Sequence, residues 1–532
     1  MNTQTNTRHS AIRIPHSAFG ILHYYTLFII HATLALAALC AASAPKEPPV
    51  PLKPAGQILP RASIDGASPR IGIGFEKLDR DVFDPEKAYD KVAAIGVKWV
   101  RIQSGWQRTE KVRGQYDFAW LDSIVDNLIK RGMTPWMCLC YGNELHTPEA
   151  AKVFGAVGVP PINSDEALQA WLAYVTATVK HFKGRIGLYE IWNEPDGRSC
   201  WKPIKGGNPV QYANFAIATS KAIRAADPAA TIAAGSLRRL NMAFTTGALN
   251  AGLGAHIDAL TYHCYVTTEL DYPGKFEGLK ALVLSYNPKI KFIQGESGAQ
   301  SRADGKGALR NYPWTPRKQA KLLLRHLVTD LGLGVEFTSY FSSLDMIEAL
   351  NGKVGDKSTY LDYGYFGVLG ADFDADGRAT GEYIPKPSYH ALQNLCAALT
   401  ADVELDTLPL QLVTDDESAA AQQASAEKPR PTLQLHGFKK ANGARALAFW
   451  DAADLATDCT GSLSLVFSNL PRPVRLVDLM TGVVYDIPDS MLVRMKMSET
   501  CTLKNLRLAD YPCLLTFGDF APFEPVAKPA AE

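Results

Sequence analysis

Two glutamates in this 532-residue chain stand where acid chemistry is possible. Glu194 lies in Tyr189-Glu190-Ile191-Trp192-Asn193-Glu194-Pro195-Asp196-Gly197, a carboxylate set directly before a proline at the end of an apolar run. Glu296 lies in Phe292-Ile293-Gln294-Gly295-Glu296-Ser297-Gly298, at the end of a second such run. Two carboxyl groups facing one another can split an acetal linkage. One protonates the leaving oxygen, and the other attacks the carbon or activates water against it. The two are far apart in sequence, so rigid elements must bring them together.

Those elements are legible as a rhythm. Eight short runs rich in β-branched and aromatic residues are Ile71–Glu76, Val97–Gln103, Thr134–Gly142, Ile186–Asn193, Thr231–Leu237, Ile257–Val266, Lys289–Gly295 and Val335–Ser342. Between them, amphipathic spacing predicts helices over Pro85–Ile95, Trp120–Arg131, Asp165–Phe182, Pro209–Ala226 and Arg317–Leu331. Eight βα units predict an α/β fold, a (β/α)8 TIM barrel over residues 70–399. In that fold, reactive groups gather in the loops after the strands, so Glu194 after the fourth and Glu296 after the seventh open into one cleft.

Trp192-Asn193-Glu194-Pro195, Gly295-Glu296-Ser297, Tyr262-His263-Cys264-Tyr265, Arg101 at the end of the second strand and Pro385-Lys386-Pro387-Ser388-Tyr389-His390-Ala391-Leu392 together resemble a clan A retaining glycoside hydrolase, and within that clan family 39, which is β-xylosidase- and α-L-iduronidase-like. The resemblance implies double displacement on a plant- or matrix-type oligo- or polysaccharide. It casts Glu194 as the general acid/base, held protonated by a negative neighbour about 5 Å away, and Glu296 as the ionised nucleophile. Arg101 and Tyr265 are placed by it where they donate to Glu296. Asn193 resembles the asparagine that binds the sugar 2-hydroxyl. His263 either lines the same cleft or is a satisfied core histidine. Trp106 and Trp192 either cover the apolar face of a pyranose or pack the core. Phe341 and Ser343 stand where many clan A enzymes carry a tryptophan. Glu76 and Glu144, at strand ends, are left between sugar contacts and pairing with Arg101 and Arg108. No cofactor and no metal are expected: Asp372, Asp374, Asp376 and Gly377 imitate a calcium loop, but Tyr383 occupies the twelfth position, where glutamate is required. That stretch is read as a turn.

The remainder of the chain bounds the setting. Residues 1–44 carry Arg8 and Arg13, an apolar run from Ile21 and the small-residue site Ala42-Ser43-Ala44, the pattern of a signal peptide, with an uncleaved anchor as the alternative. Export to the periplasm or the extracellular space follows, with no stable membrane insertion once the signal is removed. Residues 45–69 form a proline-rich linker able to lend a strand to a later domain. A net charge of +1 argues against a nucleic-acid partner and leaves carbohydrate as the expected one. Of nine cysteines, Cys138 and Cys140 read as buried thiols, while Cys459, Cys501 and Cys513 leave room for one disulfide. Residues 400–432 are polar and alanine-rich, a linker, and the short alternating runs of 433–532 predict a β-sandwich accessory domain.

Two competing readings use the same residues. A catalytically inactive secreted carbohydrate-binding protein on a barrel scaffold is opposed by the presence of both glutamates. A phosphate-binding barrel wants glycines after strands seven and eight, whereas Gly332 and Gly334 precede strand eight.

Overall fold

Eight strands, Ser68–Gly74 (β1), Val97–Gln103 (β2), Thr134–Leu139 (β3), Leu188–Ile191 (β4), Thr231–Leu237 (β5), Ala259–His263 (β6), Lys291–Ser297 (β7) and Phe337–Tyr340 (β8), close in that order into a barrel whose neighbouring strands run parallel. The computed structural model describes residues 51–202, 207–400, 402–413, 433–455, 458, 461–494 and 500–526. The predicted signal peptide, residues 414–432 and Cys459 lie outside the described residues. Among the described residues, no helix is long and apolar enough to cross a membrane.

The barrel interior is built in layers, because every second side chain of a strand points inward. Trp136, Leu188, Ala233, Ala259, Ile293 and Phe337 form one apolar cluster, with Trp99 packed on it and its ring stacked on Phe337 at 4.6 Å. Burying Leu188, Ile293 and Phe337 contributes about 1.5–3 kcal/mol each. Two residues further along β2, β4 and β6 the same face carries Arg101, Glu190 and Thr261, all fully buried. The apolar layer is thus a floor, and the next layer is polar.

The outer helices follow their caps. Asp165–Phe182 begins after Ser164, whose hydroxyl accepts from the Ala167 amide at 3.1 Å, and it buries Trp171, Tyr174, Val175, Val179 and Phe182. Pro209–Ala226 begins after Asn208, which caps Val210 and Gln211, with proline at the first position. The segment expected as one helix over Pro85–Ile95 is instead a 3-10 turn, Pro85–Lys87, followed by the helix Tyr89–Ala93. The first strand ends at Gly74, so Glu76 is a loop residue.

The C-terminal region forms two antiparallel sheets. The larger includes Leu433–Lys440, Arg445–Asp451, Val474–Asp478, Val483–Asp486 and Cys513–Phe517, and the smaller centres on Gly461–Ser468 and Thr500–Leu508. Phe467 of the smaller sheet meets Phe517 of the larger at 5.0 Å between ring centroids. Pro54–Ile58 joins the larger sheet beside Val483–Asp486. Residues expected as linker also pair as strands, Val403–Leu405 in the larger sheet and Leu410–Leu412 in the smaller. Cys501 is a free buried thiol.

Candidate active site

Arg101, at the C-terminal half of β2, is the hub of the cleft. Its guanidinium donates from Nε to Glu190 Oε2 at 2.9 Å, from Nη1 to Glu76 Oε1 at 3.1 Å and to Glu296 Oε1, and from Nη2 to Glu190 Oε2 and to Asn193 Oδ1 at 2.9 Å. Gly295 lies close against this arrangement, since a β-carbon there would stand 3.4 Å from the His263 ring and 3.6 Å from Glu190 Oε1. Three carboxyl groups share one cation, and their charges do not balance. The imbalance falls on Glu76: burial, the largest cause, and the neighbouring Glu296 outweigh Arg101 and push its carboxyl up to about 7.

A pH dependence follows. Because the fold favours protonated Glu76, its contribution to stability is complete below its ordinary 4.5 and is lost as pH rises to about 7. Thermal unfolding of wild type and Glu76→Gln should therefore diverge: between about pH 5 and about pH 7.5 the wild type loses more stability than the variant. Equal losses would contradict the shared-cation reading. Removing the hub itself, as Arg101→Met, leaves buried carboxylates without their cation, and by urea unfolding it should cost about 3–5 kcal/mol.

The loop after β4 delivers Glu194. Its amide donates to the Ser236 carbonyl at 2.9 Å, and the loop is pinned by Asp196, which accepts from the Arg238 amide at 2.7 Å and from Asn241 at 3.1 Å. Trp192 and Glu194 have φ of 68° and 45°, left-handed values that side chains other than glycine and asparagine rarely adopt. The Trp192 indole holds the turn from behind, donating to the Cys200 carbonyl at 2.7 Å.

His263 joins the two predicted carboxylates. Its Nδ1 lies 3.1 Å from Glu194 Oε1 and 3.4 Å from Glu296 Oε2, and its Nε2 lies 3.1 Å from the Ser236 hydroxyl. One ligand-capable atom from each of Glu194, His263 and Glu296 falls within 4.8 Å of the others. Burial opposes a charge on the ring, but Glu296 and Glu194 overcome it and raise the His263 pKa. Tyr265 donates its hydroxyl to Glu296 Oε2 at 2.8 Å. The two carboxylates therefore differ in surroundings: Glu296 receives Arg101 and Tyr265, and Glu194 meets His263, with the Cys200 sulfur 3.9 Å from its Oε2.

Glu194, Glu296, Asn193, Arg101, His263 and Tyr265 thus converge in one cleft. Trp106 and Trp192 do not present a ring there. Trp106 is fully buried with its faces covered by His146 at 5.1 Å and Tyr174 at 5.5 Å. Trp192 is fully buried among Tyr141, Trp171, Trp201 and Phe215. Packing against the helix Asp165–Phe182 draws both into the core, so the sugar-platform role falls away. Glu144 is exposed in a turn, and Phe341 packs beside Tyr265 and Phe366. Asp374 accepts from the Asp376 and Arg378 amides, closing a hairpin turn.

Two residues of the cleft escape a reading of the sequence. Glu190 is fully buried and takes two donors from Arg101. Counting inward positions by twos from Leu188 would find it. Ser236 connects β5 to both His263 and Glu194, and nothing in its local sequence marks it. Glu194, His263 and Glu296 are also the set that could hold a metal ion among the described residues.

Fold and site place the chain among (β/α)8-barrel proteins that face two carboxylates across the C-terminal mouth of the barrel. The family it resembles is glycosyl hydrolases family 39, whose model matches residues 85–276. A β-xylosidase of Geobacillus stearothermophilus is 26% identical over 180 residues, 30% of this chain and 33% of that protein. The β-galactosidase BgaA of Clostridium cellulovorans is 30% identical over 150 residues, 25% of this chain and 22% of that protein. The matches thus span a third or less of these relatives. A family 39 glycoside hydrolase structure from the gut symbiont Bacteroides cellulosilyticus WH2 superposes with a TM-score of 0.58 at 16% identity, over 86% of this chain and 82% of that one, a likeness of fold.

Proposed function

We propose that the protein is an exported retaining glycoside hydrolase acting by double displacement on O-glycosidic bonds of a plant- or matrix-type oligo- or polysaccharide, with Glu194 as general acid/base and Glu296 as nucleophile. The observation that carries this is the separation of the two carboxylates, one oxygen of each lying within 4.8 Å of one of the other. Retaining sites hold the groups about 5–5.5 Å apart, while inverting sites need about 6.5–9.5 Å to admit a water.

The unequal surroundings assign the roles. Glu296 accepts from two donors, one of them a buried guanidinium, which hold its carboxylate in place to attack the anomeric carbon. The basic group that reaches Glu194 is His263, whose ring fixes the direction of the carboxyl for proton transfer to and from the glycosidic oxygen. Asn193, oriented by Arg101, stands beside the acid/base, where a sugar 2-hydroxyl would be held.

The named activities of the two relatives put β-xylosides first and β-galactosides second among substrates to try. Purified protein assayed with a panel of aryl glycosides, both of these included, should release the aryl alcohol from at least one β-glycoside. No turnover of any glycoside, together with binding of a sugar, would favour an inactive carbohydrate-binding barrel instead.

A further inference from the structure

We infer that the β-sandwich is a positioning element for the nucleophile, acting through Trp450 and Glu269 on the loop that carries Tyr265. The inference rests on the glycosidase reading for its catalytic consequence.

The loop after β6 has few anchors of its own. At its near end, the Cys264 amide donates to the Glu296 carbonyl at 2.9 Å, and Tyr265 reaches the Glu296 carboxylate. Val266 and Thr268 are half-buried and Thr267 is exposed. The chain then plunges inward at Glu269, a carboxylate with no exposure at all. A charge buried so completely must be paired and hydrogen-bonded. Its partners come from outside the loop: Trp450 of the sandwich strand Arg445–Asp451 donates from Nε1 to Glu269 Oε1 at 2.6 Å, and Arg325 of the barrel helix Pro316–Gly332 lies 3.5 Å from Oε2.

Arg325 is itself held by the sandwich. It donates from Nε to the Asp510 carbonyl at 2.6 Å and from Nη2 to the carbonyls of Asp451 at 3.1 Å and Ala453 at 2.8 Å. Trp450 is fully buried and stacked on His436 at 5.5 Å, and Gly332 at the helix end has no space for a β-carbon, which would sit 1.9 Å from His436 Nδ1. The indole therefore cannot yield easily to follow the loop. The loop follows the indole. Only Val266, Thr267 and Thr268 separate this anchor from Tyr265, too short a tether to let one end move while the other keeps its geometry.

Trp450→Phe keeps the stacked ring and removes the N–H. Three results are expected relative to wild type. Deuterium uptake of residues 264–272 rises. With an aryl glycoside, kcat falls about tenfold while KM stays within about twofold, as misplacement of a reacting group demands. The double variant Trp450→Phe with Tyr265→Phe is no slower than Tyr265→Phe alone, because both act at one contact. Asn394→Ala is the control: Asn394 of the barrel helix Pro387–Ala398 also binds the sandwich, at the Leu479 carbonyl at 3.1 Å, through no residue of the Trp450–Glu269–Arg325 anchor, so it should lower thermal stability and leave kcat unchanged. Should Trp450→Phe fold poorly, Glu269→Gln tests the same anchor and should give the same pattern. Unchanged uptake, unchanged kcat despite raised uptake, or losses that multiply in the double variant would each overturn the inference. Exchange needs no substrate, so a chain inactive on every glycoside would sink the proposed function while uptake still decides the tether.

Discussion

Glu296→Ala is expected to retain less than about one ten-thousandth of wild-type kcat/KM, on activated and poor substrates alike. Without this carboxylate no glycosyl-enzyme can form, and the oxocarbenium-like transition state loses the anion that Arg101 and Tyr265 hold in place. Azide entering the vacated space attacks from the same side as the lost nucleophile, so the only rescued product should be the inverted glycosyl azide. Its configuration can be read by proton NMR. A retained azide product from this variant would mean that the two roles are reversed.

Glu194→Ala should behave differently with the leaving group. General acid catalysis contributes about 10²–10⁴-fold, and a substrate with a poor leaving group should lose all of that. An activated aryl glycoside needs little protonation, so the covalent intermediate should form at near wild-type rate and then persist, giving a burst followed by slow turnover. Azide should accelerate the second step and yield a retained product. Absence of a burst, with equal losses on both kinds of substrate, would contradict the acid/base assignment. His263, between the two carboxylates at 3.1 and 3.4 Å, remains in this variant to keep Glu296 oriented.

Much of this architecture is legible in the amino-acid sequence. The helices Asp165–Phe182 and Pro209–Ala226 match the residues that amphipathic spacing predicts, because a capping side chain marks each start and an apolar face runs the whole length. Strand ends are less legible. β4 is only Leu188–Ile191, whereas its apolar run continues to Asn193, because Trp192 turns into the left-handed region. Hydrophobicity alone does not report that turn. The paired glutamates can be found from residue type and position: Glu194 follows β4, and Glu296 stands at the C-terminal end of β7 rather than after it as the sequence suggests. Glu190 escapes notice because a buried ion pair four positions from the acid looks, in sequence, like one more polar residue on a strand. Trp106 and Trp192 mislead for a related reason: an aromatic near a strand end serves a sugar or the core equally well, and only the packing of Trp171, Tyr174 and Phe215 decides it.

The central claim is that Glu194 and Glu296 work as a retaining pair, and its most direct test is the stereochemistry of the first product. Proton NMR in deuterated buffer, following whichever β-glycoside the aryl panel shows to be cleaved, resolves the anomeric proton of the released sugar before mutarotation. The β-anomer should appear first, with the α-anomer growing in only as mutarotation proceeds. An α-anomer appearing first would contradict the account, since inverting sites hold their carboxyl groups about 6.5–9.5 Å apart, whereas one oxygen of Glu194 lies within 4.8 Å of one of Glu296.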